Sequence, residues 1–149
     1  MKIMGKHIMV DMYGCSARNL ENADLIKETS LHAIEEAAMN LVNFTCHRSQ
    51  PYGMTALTVT VEGHLAIHTY PQLGYAAIDV FTCSDYSSPE AVVSVLKRWL
   101  KPEKTKMTSI KRGDFGSVKD MKPKTSSSMA PFRRVKNTGK KVLNMLKVK

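Results

Sequence analysis

Polar and apolar residues partly alternate over residues 6–13, as a half-buried strand requires, before Gly14 ends the run. Leu25, Ile26, Ala33, Ile34, Ala37, Ala38 and Leu41 then recur at helical spacing, which predicts a helix over 22–41 with Asn22 or Asn19 as its cap. Residues 42–47 read as a second strand, and Pro51-Tyr52-Gly53 as a turn. Thr55, Leu57, Val59 and Val61 alternate with Met54, Ala56, Thr58 and Thr60, the pattern of a third strand rich in β-branched residues. Residues 64–70 and 75–83 make a fourth and a fifth, joined by a turn at 71–74. Ser88-Pro89-Glu90 opens a second helix with a capping residue, proline at its first position and an acid in the first turn. That helix carries Val92, Val93, Val95, Leu96, Trp99 and Leu100 as far as Pro102, and 104–110 supplies a last strand. The order β-α-β-β-β-β-α-β, with short links between the middle strands, predicts an α+β fold. The expected arrangement has two layers, an antiparallel sheet with helices on one face.

Charge divides the chain in two. Residues 1–100 hold seven Lys/Arg against ten Asp/Glu, a net −3, whereas 101–149 hold fifteen against three, a net +12. The formal +9 therefore belongs to the C-terminal part and says little about the chemistry of the body. From Gly113 the periodicity decays through the linker-like 122–128, so the expected organisation is a domain at 1–112 and a basic, partly disordered tail at 113–149. Within the tail, Val142, Met145 and Leu146 share one helical face among lysines. The tail is read either as a solvated run or as a short amphipathic helix for an acidic partner, nucleic acid or an anionic membrane. No run approaches the ~20 apolar residues of a membrane span. Three scattered cysteines form no disulfide framework, and the N-terminus lacks a signal-peptide core, so a cytoplasmic setting is expected.

The residue types restrict the chemistry further. His64 and His68 stand four apart, but in a strand that separation is about 13 Å, too far to share a metal, and no glutamate follows His64. No metal is therefore expected. No nucleophile elbow, phosphate-binding loop or dinucleotide fingerprint occurs. Cys83 and His68, each taken alone, serve packing more often than catalysis.

The run His47-Arg48, Pro51-Tyr52-Gly53, Glu62-x-His64-Leu65-x-Ile67-His68-Thr69-Tyr70-Pro71, Gly74-Tyr75-Ala76-Ala77 and Asp79-x-Phe81-Thr82-Cys83 resembles the small prokaryotic S-adenosylmethionine decarboxylases. Met4-Gly5-Lys6-His7 and Tyr13-x-Cys15 are similar to that family's first strand, and the resemblance covers roughly residues 1–112. It implies an α/β sandwich, a dimer and a lyase of polyamine (spermidine) biosynthesis acting on S-adenosylmethionine. Decarboxylation leaves a carbanion that needs an electron sink. The family makes its own by autocatalytic cleavage: a serine hydroxyl attacks the preceding carbonyl, the ester undergoes β-elimination, and the new N-terminus becomes a pyruvoyl group. By the same resemblance Cys83 is the proton donor, His68 serves processing and substrate stacking, and Thr55 stands at the processing serine.

The pyruvoyl-forming serine is missing. The expected cleavage site reads Glu62-Gly63, and glycine has neither a hydroxyl to attack with nor a β-carbon to eliminate from. No serine or cysteine occurs between Gln50 and Thr82, and Thr60 is out of register. Two substrate-binding positions also depart: Ser49 replaces an aromatic expected to stack on adenine, and Gln72 an acid expected near the ribose. Ala56 and Ser84 stand in place of glycines. Three readings follow from these departures. The chain is a decarboxylase of the family whose exact sequence does not self-process, and which Gly63→Ser restores. It is a natural pseudoenzyme that binds a ligand or an active paralogue, as a homodimer or heterodimer. Or it is a repurposed arginine or ornithine decarboxylase. A tail-driven nucleic-acid or membrane binder on an inert scaffold is an alternative of a different class.

Overall fold

The computed structural model describes residues 5–113, apart from 50 and 52. Along the chain run β1 (Gly5–Tyr13), α1 (Ala17–Glu21), α2 (Ala23–Glu36), β2 (Leu41–Arg48), β3 (Met54–Thr60), β4 (Gly63–Tyr70), a 3-10 turn (Pro71–Leu73), β5 (Tyr75–Thr82), α3 (Pro89–Leu100) and β6 (Lys104–Arg112). The six strands form one sheet in the order β2-β3-β4-β5-β1-β6, every neighbouring pair antiparallel. The α+β class and the sandwich of sheet and helices are as expected. The basic tail, with Val142, Met145 and Leu146, lies outside the described residues.

Alternation along the strands separates the two faces of the sheet. Ile8, Val10 and Met12 on β1, Ala56 on β3, Leu65 and Ile67 on β4, and Ile78 and Val80 on β5 point to one side and are buried. Against them lie Leu20 of α1, Ile26, Ala33 and Ile34 of α2, and Val92, Val95, Leu96 and Leu100 of α3. The opposite face carries Met9, Asp11, Thr55, Leu57, Ala66, His68, Ala77, Asp79 and Phe81, all half-buried. No helix among the described residues covers it. None of the helices described is long and apolar enough to cross a membrane.

The helices differ most from the sequence reading. The helical spacing of 22–41 predicts one helix, but α2 ends at Glu36: Ala38 adopts a left-handed φ of 55°, and Leu41 already belongs to β2. Asn22 does cap α2, its side chain accepting from the Leu25 N–H at 3.1 Å. The five-residue α1 ahead of it is too short to show a hydrophobic period. The side chain of Ser88 makes no capping hydrogen bond, so α3 begins on Pro89 and Glu90 without the expected hydroxyl cap.

Candidate functional site

The expected site divides between two ends of β4. At its start, the β3–β4 hairpin returns through Val61 and Glu62 into Gly63, which pairs with Thr82 on β5. The register brings the next residue of that chain, Cys83, onto the hairpin. Its backbone N–H donates to the Glu62 carbonyl oxygen at 2.8 Å, and its thiol donates to the same oxygen at 3.0 Å. Two donors converging on one carbonyl polarise it as an oxyanion pocket does. The peptide they address is Glu62–Gly63, the bond that the resemblance expects to be cleaved.

Asn40, in the turn after α2, holds the hairpin from the other side. Its backbone N–H donates to Glu62 Oε2 at 2.8 Å, its side-chain amide donates to Oε1, and its carbonyl accepts from the Val61 N–H at 2.9 Å. The first of these bonds in particular holds the Glu62 carboxyl below the usual carboxylate range. The Thr60 hydroxyl accepts from the Gly63 N–H at 3.0 Å. The out-of-register Thr60 thus lies at this peptide, but as an acceptor from its nitrogen. Asn40 was invisible to the sequence reading, because 22 residues separate it from Glu62 and only the fold joins them.

Gly63 itself does not fit a pyruvoyl group. It supplies no hydroxyl, and a β-carbon placed on its backbone would run into the carbonyl oxygen of Phe81 and lie 2.8 Å from its carbon. Beside Cys83 opens a cavity of about 250 Å³, lined among others by Lys6, Thr82, Ser84, Asp85 and Lys111. Lys6 pairs with Glu90 at the start of α3. Lys111 lies in no motif, and the Met4-Gly5-Lys6-His7 motif that holds Lys6 does not mark it as a cavity residue.

The second cluster lies toward the far end of β4. His68 faces Thr55 across the β3–β4 ladder, and Nδ1 of His68 shares a hydrogen bond of 3.0 Å with the Thr55 hydroxyl. Both stand on the uncovered face. Gln72 is exposed in the 3-10 turn that follows, and Ser49, also exposed, donates its N–H to the Gly53 carbonyl at 3.0 Å. Gly63 and His68 are five strand residues apart, about 16 Å. One chain therefore brings Cys83, Glu62 and Gly63 together and brings Thr55 to His68, but it does not bring the two clusters to each other.

Between them the uncovered face is polar and aromatic. His64 stacks on Phe81 at 5.8 Å between centroids, Arg112 lies over the same ring at 5.6 Å, and His7 contacts Asp79 at 3.2 Å. Burial, with the neighbouring His7 second, pushes the His64 pKa below its ordinary value. Tyr75 stacks with Tyr70 and Tyr13 and donates its hydroxyl to Asp11, which with burial raises its pKa to about 12.

Comparison with known proteins gives the chain its relatives. Residues 6–113 match the family described as S-adenosylmethionine decarboxylase. An S-adenosylmethionine decarboxylase proenzyme of Methanococcus maripaludis is 40% identical over 122 residues, covering 80% of this chain and all of the relative. The proenzyme of Caldanaerobacter subterraneus is 38% identical over 115 residues, 77% of this chain and 93% of that one. Among solved structures, the adenosylmethionine decarboxylase of Aquifex aeolicus superposes with a TM-score of 0.71 at 29% identity, covering 76% of this chain and 93% of that one.

Proposed function

Since the chain belongs to the S-adenosylmethionine decarboxylase family, we propose that it is a non-processing member of that family. It keeps the binding surface for S-adenosylmethionine or a close relative and has lost the means of making a pyruvoyl group. The observation that carries this reading is the Glu62–Gly63 peptide. Its carbonyl is held by both donors of Cys83, yet the following residue offers no nucleophile. Polyamine biosynthesis in the cytoplasm is the setting that fits the family.

Two chains complete the site in this proposal. The Cys83 and His68 clusters stand about 16 Å apart along β4, and Met9, Leu57 and Phe81 on the uncovered face are only half-buried. Two copies packed by these faces, antiparallel along their strands, set the Thr55–His68 pair of one chain against the Cys83 end of the other. A serine-containing paralogue in place of the second copy supplies a pyruvoyl that this chain does not make.

A denaturing mass spectrum of the purified protein, followed by calorimetric titration with S-adenosylmethionine, tests the reading. A single species at 16.6 kDa that binds S-adenosylmethionine is the expected result. Two fragments meeting at Glu62–Gly63, or an intact chain indifferent to S-adenosylmethionine, overturns it.

A further inference from the structure

We infer that the backbone around Gly63 has closed to a separation only glycine allows, so that restoring serine at this position does not by itself restore self-cleavage. The inference deepens the proposed function, on which it rests. That reading requires only that the nucleophile is missing; the geometry adds that the room for it is missing too.

The collision is between main-chain positions. A β-carbon on Gly63 would meet the Phe81 carbonyl oxygen, with the Phe81 carbonyl carbon at 2.8 Å and Thr82 Cα at 3.1 Å. Contacts under 3 Å to backbone are relieved only by moving one strand from the other, since no rotamer change helps. β5 is poorly placed to yield. It lies between β4 and β1 and is paired on both edges. Its Phe81 ring is held by the stacked His64 and the overlying Arg112.

The hairpin must therefore be the part that retreats, and its retreat carries a specific loss. The Glu62 carbonyl, one residue before Gly63, sits on Cys83 through the N–H at 2.8 Å and the thiol at 3.0 Å. Moving Gly63 off Phe81 draws that carbonyl off both donors. A serine at 63 is thus either excluded by Phe81 or accommodated at the expense of the contacts that polarise the carbonyl it must attack. Asn40 resists the same movement, through three hydrogen bonds to Glu62 and Val61.

The test uses the full-length chain and its Gly63→Ala and Gly63→Ser variants. Thermal melting, intact mass after prolonged incubation, and amide hydrogen exchange of the unsubstituted protein are the readouts. Both variants should melt at least about 5 °C below the parent, and Gly63→Ser should remain one species. The amides of Gly63 and Cys83 should exchange slowly in the parent, because the first is bonded to the Thr60 hydroxyl and the second to the Glu62 carbonyl. Cleavage of Gly63→Ser at Glu62, an unchanged melting temperature for Gly63→Ala, or unprotected Gly63 and Cys83 amides each overturns the inference. If both variants fail to fold, the parent's exchange pattern decides. The proposed function is read on the parent's mass and S-adenosylmethionine binding, so it stands or falls independently of these variants.

Discussion

Cys83 gives both of its hydrogen-bond donors to one acceptor, the carbonyl oxygen of Glu62. The thiol reaches it from an exposed position at the end of β5, whereas Cys15 is buried and its thiol is pushed to a higher pKa by desolvation. Thiolate fraction and access set the rate of alkylation. Iodoacetamide near pH 8 should therefore modify Cys83 well before Cys15, by at least about tenfold in rate, as followed by peptide mass spectrometry. Cys83→Ala should remove the fast phase. It should change folding stability by no more than about 1 kcal/mol, since the backbone N–H bond remains. Equal rates at the two cysteines would mean that Cys83 is not presented as described.

His64 makes stability depend on pH in a known direction. Its folded pKa lies below the ordinary histidine value, through burial first and then repulsion from His7, with Arg112 adding to the repulsion and Asp79 opposing it. The unfolded chain therefore binds the proton more readily. The associated stability is fully present above the unfolded value of about 6.5 and is lost as pH falls through the lower folded value. Urea denaturation between pH 7.5 and 5 should show stability declining with acidification, and His64→Gln should make that decline shallower. The His64 ring proton should titrate below free histidine by nuclear magnetic resonance. A normal or raised titration would contradict the stacked, half-buried position on Phe81.

How far the sequence revealed this arrangement differs between strands, helices and site. The strands β1, β3, β4 and β5 were legible because one face of each is buried and the other is not, so burial imposes a period of two. The break after Glu36 was hidden. Ala37, Ala38 and Leu41 continue the helical spacing, and nothing local announces that Ala38 turns left-handed. Thr55 and His68 could be named as candidates from the family motif, but that they bond to each other is a matter of β3–β4 register. Asn40 and Lys111 carried no signal, and Lys6 stood in the first-strand motif without any mark of a site role, since these roles arise only from long-range neighbours. The absent hydroxyl of Gly63 was plain in the sequence, whereas the close approach of Phe81 is a property of backbone spacing that no residue type encodes.

Tyr75 gives a second pH dependence, with the opposite sign. Its hydroxyl donates to Asp11, and that bond, with burial, raises its pKa from 10 to about 12. The folded chain keeps the proton longer than the unfolded one. The contribution is fully present below about pH 10 and disappears as pH rises toward 12. Ultraviolet titration of tyrosinate should show one of the five tyrosines ionising late, and Tyr75→Phe should remove that late step. A titration in which every tyrosine ionises near 10 would mean that the Asp11 contact does not persist in solution.

Association through the uncovered sheet face can be tested at Ala77. In the β-ladders this residue stands opposite His68 on β4 and Asp11 on β1, in the middle of the face. Its side chain is half-buried in the single chain, so a glutamate placed there remains hydrated as long as the chain is alone. In a face-to-face pair the same carboxylate is taken out of water beside Asp11, its neighbour in the β1–β5 ladder. An uncompensated charge in a packed interface costs several kcal/mol, about 3–5 by the measure of broken buried pairs, which weakens dimerisation by at least about a hundredfold. Sedimentation equilibrium should find the parent at twice the chain mass and Ala77→Glu at the chain mass, at the same micromolar concentration. The circular dichroism spectra should coincide, which separates lost association from lost folding. A parent that sediments as a single chain throughout removes the two-chain site. A dimer that survives Ala77→Glu places the contact elsewhere, and leaves the Cys83 and His68 clusters as two separate features of one protomer.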